Sequence, residues 1–233
     1  MIIGGILAGG IGSRMGGNIP KQFLEVAGKP IIVRTIEAYL KCSEIEQIVV
    51  AMNMQWMDYC QELLRANGIN TEEVLLISGG ADRFESMVNI TKKCIELGGE
   101  DAVLVIHDCA RPFVSERIIR DNIEYLSQYD MVTTSVPTID TVILSEDQKT
   151  STSVPNRSHV FQDQGPQSFV AGEFLQLMES IPAEERSLYM EAGRLYLHCG
   201  KTVGIVPGDR MNFKITTDFD LKFAEFLLKE GQE

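Results

Sequence analysis

The first half of the chain alternates short apolar segments with longer amphipathic ones. Runs rich in apolar or β-branched residues, typical of buried parallel strands, span Ile2 to Leu7, Ile45 to Met52, Val74 to Ile77 and Ala102 to Ile106. Helical patterns follow the first three strands, over residues 30 to 41, Trp56 to Asn67 and Arg83 to Leu97. This alternation predicts an α/β fold with a Rossmann-like, doubly wound, mostly parallel sheet whose ligands bind at the carboxyl ends of the strands.

The pattern changes after Met131, where no helix separates the apolar segments. A strand over Val132 to Pro137 is followed by residues 140 to 144, a polar turn and Ser151 to Phe161, which predict a β-hairpin. A two-stranded ribbon is marginal by itself, so we expect residues 138–162 to form a protruding β-arm on a partner surface. Two helices then flank a last strand, and we expect residues 1–233 to form a single domain.

Composition and charge exclude several classes of function. The 233 residues carry a net charge of −12, which disfavours nucleic acid because its phosphates need a basic face. No apolar run approaches the roughly 20 residues of a membrane span, and the start Met1-Ile2-Ile3-Gly4 lacks the basic segment of a signal peptide. The five cysteines include no Cys-x-x-Cys pair, which argues for reduced thiols and against zinc. We therefore expect a cytoplasmic protein without nucleic-acid or membrane partners.

A glycine-rich loop with two cations follows the first strand. Gly9, Gly10 and Gly12 allow backbone N–H groups to approach a triphosphate closely, and Arg14 and Lys21 flank them. The loop fits neither a Walker A motif nor a dinucleotide fingerprint, and taken alone it is also compatible with an ordinary strand-to-helix turn. Because the net charge repels a triphosphate, a nucleotide site here requires a local basic cluster, with Mg²⁺ neutralising part of the ligand's charge.

Three later segments, in this order, resemble those of one family, the alditol-phosphate cytidylyltransferases. They are His107 to Pro112, Arg157 with Gln164 to Phe169, and Asn212 to Thr217, and the resemblance covers nearly all of the chain. Two branches compete: the methylerythritol phosphate cytidylyltransferases of isoprenoid synthesis and the ribitol-5-phosphate cytidylyltransferases of wall teichoic acid synthesis. The chain is more similar to the second branch in the segments Gly5 to Met15, Gln55 to Met57, Asp82-Arg83 with Asn89-Ile90, and Arg111 to Phe113 with Arg117 to Ile119.

The resemblance implies transfer of a cytidylyl group from CTP to D-ribitol 5-phosphate or a similar pentitol phosphate, giving CDP-ribitol and pyrophosphate. The alternative acceptor is 2-C-methyl-D-erythritol 4-phosphate. It also implies a homodimer in which each β-arm crosses to the other subunit. The catalytic cations that it implies are Arg14, Lys21 and Lys214. The nucleotide contacts that it implies are Leu7, Ala8, Gly9, Gly10, Gly12, Gly80, Asp82, Arg83, Ser86, Asp108 and Cys109. The acceptor contacts that it implies are Arg111, Thr141, Arg157 and Thr216, and Asp108 is the expected Mg²⁺ ligand.

These residue types suit nucleotidyl transfer, in which a phosphate oxygen attacks the α-phosphorus of the triphosphate and pyrophosphate leaves. The protein must hold two repelling anions together and stabilise the developing charge, which bridging cations do best. A phosphate nucleophile is already deprotonated at pH 7, so we interpret His107 as a structural donor rather than a general base. The turn at Gly79-Gly80 with the Ser86 hydroxyl is interpreted as a small cytosine pocket that excludes a purine.

Some of these residues also have purely structural interpretations. Asp108 could cap the following helix, although Ser115 is better placed to do so. Ser86 could simply belong to the first turns of its helix, and Arg157 could protect an edge strand. Arg111 is expected to position Asp108 or the acceptor phosphate.

Three departures from the family pattern bear on the acceptor. Gly165 stands where Thr is usual, Cys109 where Ala or Val is common, and Met190-Glu191-Ala192 where a Thr/Ser-Asp-Glu/Ala segment is expected. The loss of two hydroxyls removes donors that could contact a polyol.

The opening glycine loop is also similar to those of hexose-1-phosphate nucleotidyltransferases and molybdopterin guanylyltransferases, which lack the later segments in this arrangement. A non-catalytic nucleotide-binding paralogue is a further alternative. The joint presence of the charged motif residues argues against it; these are Arg14, Lys21, Asp108 and Lys214.

Overall fold

A seven-stranded sheet with helices on both faces forms the centre of the molecule. The computed structural model describes residues 1–10, 19–182, 184–189 and 191–230. Within these ranges the strands are β1 (Ile2–Leu7), β2 (Glu25–Val26), β3 (Lys29–Pro30), β4 (Gln47–Met52), β5 (Val74–Ser78), β6 (Val103–Asp108), β7 (Met131–Pro137), β8 (Phe161–Val170) and β9 (Val203–Pro207). The helices are α1 (Ile31–Leu40), α2 (Met57–Ala66), α3 (Arg83–Gly98), α4 (Glu116–Tyr125), α5 (Ala171–Ser180), α6 (Ala192–His198) and α7 (Asp218–Glu230).

The strand order is β5-β4-β1-β6-β8-β7-β9, and β2 and β3 form a separate small hairpin. β8 runs antiparallel to its neighbours β6 and β7, whereas the other pairs in the main sheet are parallel. From β1 the chain first builds outward through β4 and β5, and it then returns to the other side of β1 with β6. A reversal of this kind leaves a crevice at the carboxyl ends of the strands. The predicted α/β fold with a mostly parallel sheet is therefore confirmed.

Two apolar clusters cover the two faces of the sheet. Helices α1, α2, α4 and α7 contribute to the first, and α3, α5 and α6 to the second. Neighbouring residues of one strand divide between the clusters, as Val49 and Val50 of β4 do, because successive side chains of a strand point to opposite faces. None of the described helices is long and apolar enough to cross a membrane.

Local sequence signals place several elements correctly. β1 coincides with the predicted strand, and the predicted third helix agrees with α3 to within one residue at its end. The Ser115 hydroxyl caps α4 by accepting a hydrogen bond from the backbone N–H of Ile118, at 3.4 Å. The preference for Ser115 over Asp108 as the cap of this helix is thus confirmed.

The predicted β-hairpin over residues 138–162 is wrong as a regular ribbon. Between β7 and β8 the chain forms one isolated bridge, from Leu144 to Ser153, and a single 3-10 turn at Arg157–His159. The ends of the segment meet where the N–H of Thr138 donates to the carbonyl of Val160, at 3.0 Å. Residues from Phe161 onward pair with β7 and β6 instead of with the first half of the segment. Its role as a dimerisation arm stays a prediction.

Candidate active site

A cleft of about 730 Å³ opens at the carboxyl ends of β1, β4, β5 and β6. It lies where the strand order reverses, as expected for a ligand site in a sheet of this kind. The structure brings together in its wall most of the residues predicted to bind the nucleotide, with both of the predicted catalytic lysines. These are Leu7, Ala8, Gly9, Gly10, Lys21, Gly80, Asp82, Arg83, Ser86, Asp108, Cys109 and Lys214.

The carboxyl end of β1 is anchored by the residue that follows Lys21. The Gln22 side chain is buried, and its Nε2 donates to the carbonyl of Ala8 at 2.8 Å. Lys21 itself donates to the carbonyl of Ile215 at 3.1 Å, so its ammonium lies beside the segment that carries Lys214. Gln22 therefore links the position of Lys21 to the carboxyl end of β1.

In the turn between β5 and α3, the side chains that were expected to contact the base form hydrogen bonds within the turn. The Ser86 hydroxyl accepts from the N–H of Gly80 at 3.0 Å and donates to the carbonyl of Asp82 at 2.8 Å. The Asp82 carboxylate caps α3 by accepting from the N–H of Glu85 at 2.8 Å. A Cβ on Gly80 would lie 2.1 Å from the Cβ of Glu85, so the turn needs glycine there. Ser86 and Asp82 therefore shape this wall of the cleft.

An alternating chain of four charges joins segments that are distant in sequence. Lys214 Nζ lies 2.6 Å from Asp108 Oδ2, and Arg83 Nε lies 3.1 Å from Asp108 Oδ1. The same guanidinium reaches Glu191 Oε2 through its Nη1 at 3.2 Å. Arg83 and Lys214 therefore hold Asp108. The expectation that Arg111 positions Asp108 is not met, since Arg111 bonds to backbone carbonyls instead.

Charge and burial fix the protonation of the groups around Asp108. Burial acts to raise the pKa of the Asp108 carboxyl, but the charges of Arg83 and Lys214 outweigh it and hold that pKa well below its usual range. Burial lowers the pKa of His107 to about 4, so the ring is neutral near pH 7. Its Nε2–H donates to the carbonyl of Arg111 at 3.1 Å, which agrees with a structural donor. Burial also raises the pKa of the Cys109 thiol, so this residue meets the cleft as a neutral group.

A smaller cavity of about 330 Å³ adjoins the cleft, and Lys214 lines both. Two arginines also line it, Arg111 and Arg210. The Arg111 guanidinium donates to the carbonyls of Asn212, at 2.9 Å, and of Asp163, at 3.4 Å, which fixes its plane. Arg210 is exposed and makes no hydrogen bond or ion pair with the described part of the chain. The cavity thus presents three cationic side chains, of which sequence reasoning had named Arg111 and Lys214.

Three of the remaining predicted residues, Thr141, Arg157 and Thr216, do not line either cavity within this chain. Thr141 and Arg157 are exposed on the segment after β7, where Arg157 Nη1 donates to the carbonyl of Ile139 at 2.9 Å. The Thr216 hydroxyl donates to Asp220 Oδ2 at 2.8 Å, next to the start of α7. Gly12 and Arg14 lie outside the described residues.

The structure shows the conformation or the contacts of two residues that depart from the family pattern, Gly165 and Glu191. Gly165 has a φ of 61°, a left-handed conformation that favours glycine and would strain a threonine. Glu191 belongs to the charge chain through its contact with Arg83 at 3.2 Å. Met190, beside it, lies outside the described residues. Sequence reasoning noted Glu191 only as a departure from the family pattern, because its partner Arg83 lies 108 positions away in the chain.

Asp108 can provide one ligand to Mg²⁺, but the described residues around it do not provide a full set of protein ligands. Among the described residues no group of three carboxylate, imidazole or thiol side chains could hold a metal ion. Mg²⁺ commonly takes one or two carboxylates and completes its shell with substrate phosphates and water. Asp108 faces the cleft, and each of its oxygens has one cationic partner and a remaining lone pair. It fits as a single protein ligand beside a bound triphosphate.

This fold, with a cation-lined cleft at the reversal of strand order, is that of an α/β nucleotidyltransferase. The chain belongs to the 2-C-methyl-D-erythritol 4-phosphate cytidylyltransferase (IspD) family, which it matches over residues 2–230. It is therefore a cytidylyltransferase of the IspD type.

Solved structures agree with this assignment. The 4-diphosphocytidyl-2C-methyl-D-erythritol synthase of Anaerococcus prevotii is 25% identical, with a TM-score of 0.80 over 98% of this chain and 96% of that one. The Francisella tularensis 2-C-methyl-D-erythritol 4-phosphate cytidylyltransferase is 24% identical, with a TM-score of 0.78 over 97% and 98%. The Thermus thermophilus enzyme of the same description is 23% identical, with a TM-score of 0.71 over 98% and 100%. The family match and the Anaerococcus structure favour the methylerythritol alternative over the ribitol phosphate branch, which the sequence segments had placed first.

Proposed function

We propose that the protein transfers the cytidylyl group of CTP to 2-C-methyl-D-erythritol 4-phosphate and releases pyrophosphate. The family match and the described structures support this acceptor above the other alditol phosphates. The single observation that carries the reaction type is the position of Lys214, whose side chain lines both the large cleft and the small cavity. A cation shared by two adjoining binding spaces is what the joining of two phosphates requires.

The large cleft is the proposed nucleotide site. Backbone atoms of the loop after β1 and of the turn after β5 face it, and Lys21 borders it on the side of the first loop. The volume of about 730 Å³ lies within the usual range for small-molecule sites. Because Ser86 and Asp82 are used within the turn, backbone N–H and C=O groups there are the proposed contacts for the edge of cytosine. Arg14 is proposed as a further triphosphate contact from the sequence alone.

The small cavity is the proposed site of the acceptor's phosphate, beside Arg111 and Lys214. One oxygen of that phosphate attacks the α-phosphorus of CTP, the new P–O bond forms, and the bond to the bridging oxygen of the β-phosphate breaks. The electron pair of the broken bond leaves with pyrophosphate. Lys21 and Lys214 stabilise the charge that develops on the α-phosphoryl oxygens, and no general base is needed because the attacking phosphate is already ionised.

Asp108 is the residue proposed to hold Mg²⁺, together with oxygens of the triphosphate. The ion would supply charge neutralisation to the triphosphate. Thr141 and Arg157 are proposed to contact the acceptor from the second subunit of a homodimer. Thr216 is kept as an acceptor contact only if its hydroxyl leaves Asp220.

A substrate panel tests this function. Purified protein with Mg²⁺ is given each of CTP, UTP, ATP and GTP with methylerythritol 4-phosphate, ribitol 5-phosphate or arabinitol 5-phosphate, and pyrophosphate release is followed with mass analysis of the product. The expected best pair is CTP with methylerythritol 4-phosphate. If no pair releases pyrophosphate, the proposed reaction is wrong and the non-catalytic alternative is favoured.

D-Ribitol 5-phosphate is the second candidate acceptor. The similarity of the segments around Gly5 to Met15 and Arg111 to Phe113 to the ribitol branch favours it. A kcat/KM for ribitol 5-phosphate that exceeds the value for methylerythritol 4-phosphate would establish this candidate in place of the first, with the reaction type unchanged.

A further inference from the structure

The small cavity contains a carboxylate that phosphate binding does not explain. Asp163, in β8, is exposed and lines this cavity together with Arg111 and Lys214. A phosphate dianion has no hydrogen to donate to a carboxylate, and the two charges repel each other. Besides offsetting part of the charge of Arg111, the carboxylate is available to another part of whatever enters the cavity.

Asp163 is oriented by donors on two neighbouring strands. The Thr133 hydroxyl of β7 donates to its Oδ1 at 2.6 Å, and Gln167 Nε2 donates to its Oδ2 at 3.1 Å. The N–H of Gly165 adds a longer contact to Oδ1, at 3.4 Å. An ionised carboxylate offers about four acceptor positions, so these contacts fix the group and leave it able to accept more hydrogen bonds.

A β-bulge creates this arrangement. Thr133 pairs with Gln167 and Ser135 pairs with Asp163, so β8 carries extra residues between the two pairs. Residues four apart on β8 thereby come within hydrogen-bond distance of each other, which a regular strand would not allow, because its side chains four residues apart are about 13 Å apart. Bulges of this kind frequently re-aim a side chain beside an active site.

We propose that Asp163 accepts hydrogen bonds from hydroxyl groups on the carbon chain of the acceptor, and so selects a polyol phosphate and sets its direction in the cavity. This inference rests on the proposed function. The phosphate lies toward Arg111 and Lys214, and the hydroxyl-bearing carbons lie toward Asp163. A site that bonds a substrate hydroxyl discriminates against an analogue that lacks it, because that analogue forfeits a hydrogen bond to a charged group.

The test compares substrate analogues on enzyme variants. Asp163→Asn keeps the shape of the side chain and removes its charge. Asp101→Asn is the matched control, since Asp101 is also exposed but lies before the amino end of β6, away from both cavities. Each protein is assayed with CTP and the preferred alditol phosphate, and then with a set of analogues that each lack one hydroxyl. The equilibrium affinity for the same acceptors is measured calorimetrically in the presence of a non-hydrolysable CTP analogue.

For Asp163→Asn we expect kcat/KM for the full acceptor to fall by about 10- to 100-fold, the range for a hydrogen bond to a charged group. Acceptor affinity should fall in parallel, whereas KM for CTP stays within about twofold. On the analogue that lacks the bonded hydroxyl, the unaltered enzyme should already be impaired, and the substitution should cost less than about threefold.

An equal loss on every analogue, or a loss that appears in the KM for CTP, would overturn the role of Asp163 and leave the proposed function intact. Failure of the unaltered enzyme to transfer a cytidylyl group to any alditol phosphate would overturn the proposed function and this inference with it. Should Asp163→Asn fold poorly, Thr133→Val, which removes one of the donors that orient Asp163, gives the same comparison. A loss confined to the hydroxyl-bearing acceptor again supports the proposal, and a uniform loss overturns it.

Discussion

Replacing Lys214 by methionine should separate catalysis from stability. The substitution keeps most of the side-chain volume and removes the ammonium 2.6 Å from Asp108. In the proposed reaction this cation stabilises charge that develops during transfer, and loss of one such group costs on the order of 10² to 10³ in kcat. A conservative Lys214→Arg change should recover part of that loss, because it restores the charge.

The cost to folding should be small. The Lys214 side chain is 38% exposed and that of Asp108 15%, so solvent screens the ion pair in part, and we expect it to contribute about 1 kcal/mol. Asp108 also keeps Arg83 at 3.1 Å, so the substitution does not leave a buried charge unpaired. For a protein of this size, about 1 kcal/mol corresponds to a fall in Tm of roughly 2–4 °C.

Lys201→Met is the matched control. Lys201 has a similar exposure, 34%, and pairs with Asp130 and Glu173 just before the amino end of β9, at the opposite edge of the sheet. It should lower Tm by a similar amount and leave kcat within about twofold. The assays are steady-state pyrophosphate release and thermal unfolding. A loss of less than tenfold in kcat for Lys214→Met, or an equal loss for Lys201→Met, would refute the reasoning.

Three further outcomes are expected. Turnover with CTP should be well above turnover with UTP, ATP or GTP, and comparable turnover of ATP or GTP would contradict a cytosine-shaped pocket. The Gly80→Ala variant should have a raised KM for CTP, because the new Cβ would clash with Glu85. If Arg157 acts across a homodimer, mixing inactive Lys21→Ala and Arg157→Ala chains should restore about a quarter of wild-type activity, because half the dimers are mixed and half of their sites are whole. A re-equilibrated mixture that stays inactive would mean that Arg157 acts within its own subunit or has a structural role. When the native protein is treated with a thiol reagent near pH 8, Cys199 should react fastest because it alone among the five cysteines is not buried. The Cys199→Ser variant should lack this fast reaction. Fast reaction of several thiols would show that the core is more open than described.

The amino-acid sequence determined much of the α/β framework because its signals are local. Apolar runs such as Ile2 to Leu7 have the length and composition of buried strands, and Ser115 precedes its helix as a capping residue should. Once parallel strands are predicted, their carboxyl ends must share one edge of the sheet. For that reason most of the residues assigned to the nucleotide do meet in one cleft.

Strand β8 and the segment before it depended on tertiary structure. The run Gln164-Gly165-Pro166-Gln167 contains the residues of a turn, and its polar residues show no strand periodicity. It becomes part of a strand because β6 and β7 bond to it from both sides, at the cost of a bulge. Residues 138–160 make few contacts of that kind, so the alternation that predicted a ribbon there did not produce one.

Long-range geometry also decided what each polar side chain does. Ser86 and Thr216 had been assigned to ligands through the family resemblance, yet both hydroxyls form hydrogen bonds to neighbouring backbone or carboxylate groups. The ion pairs that hold Asp108 and Arg83 join residues separated by 106, 25 and 108 positions in the chain. No local pattern encodes pairs at such separations, because they form only when the ends of different strands and loops are brought to the same edge of the sheet.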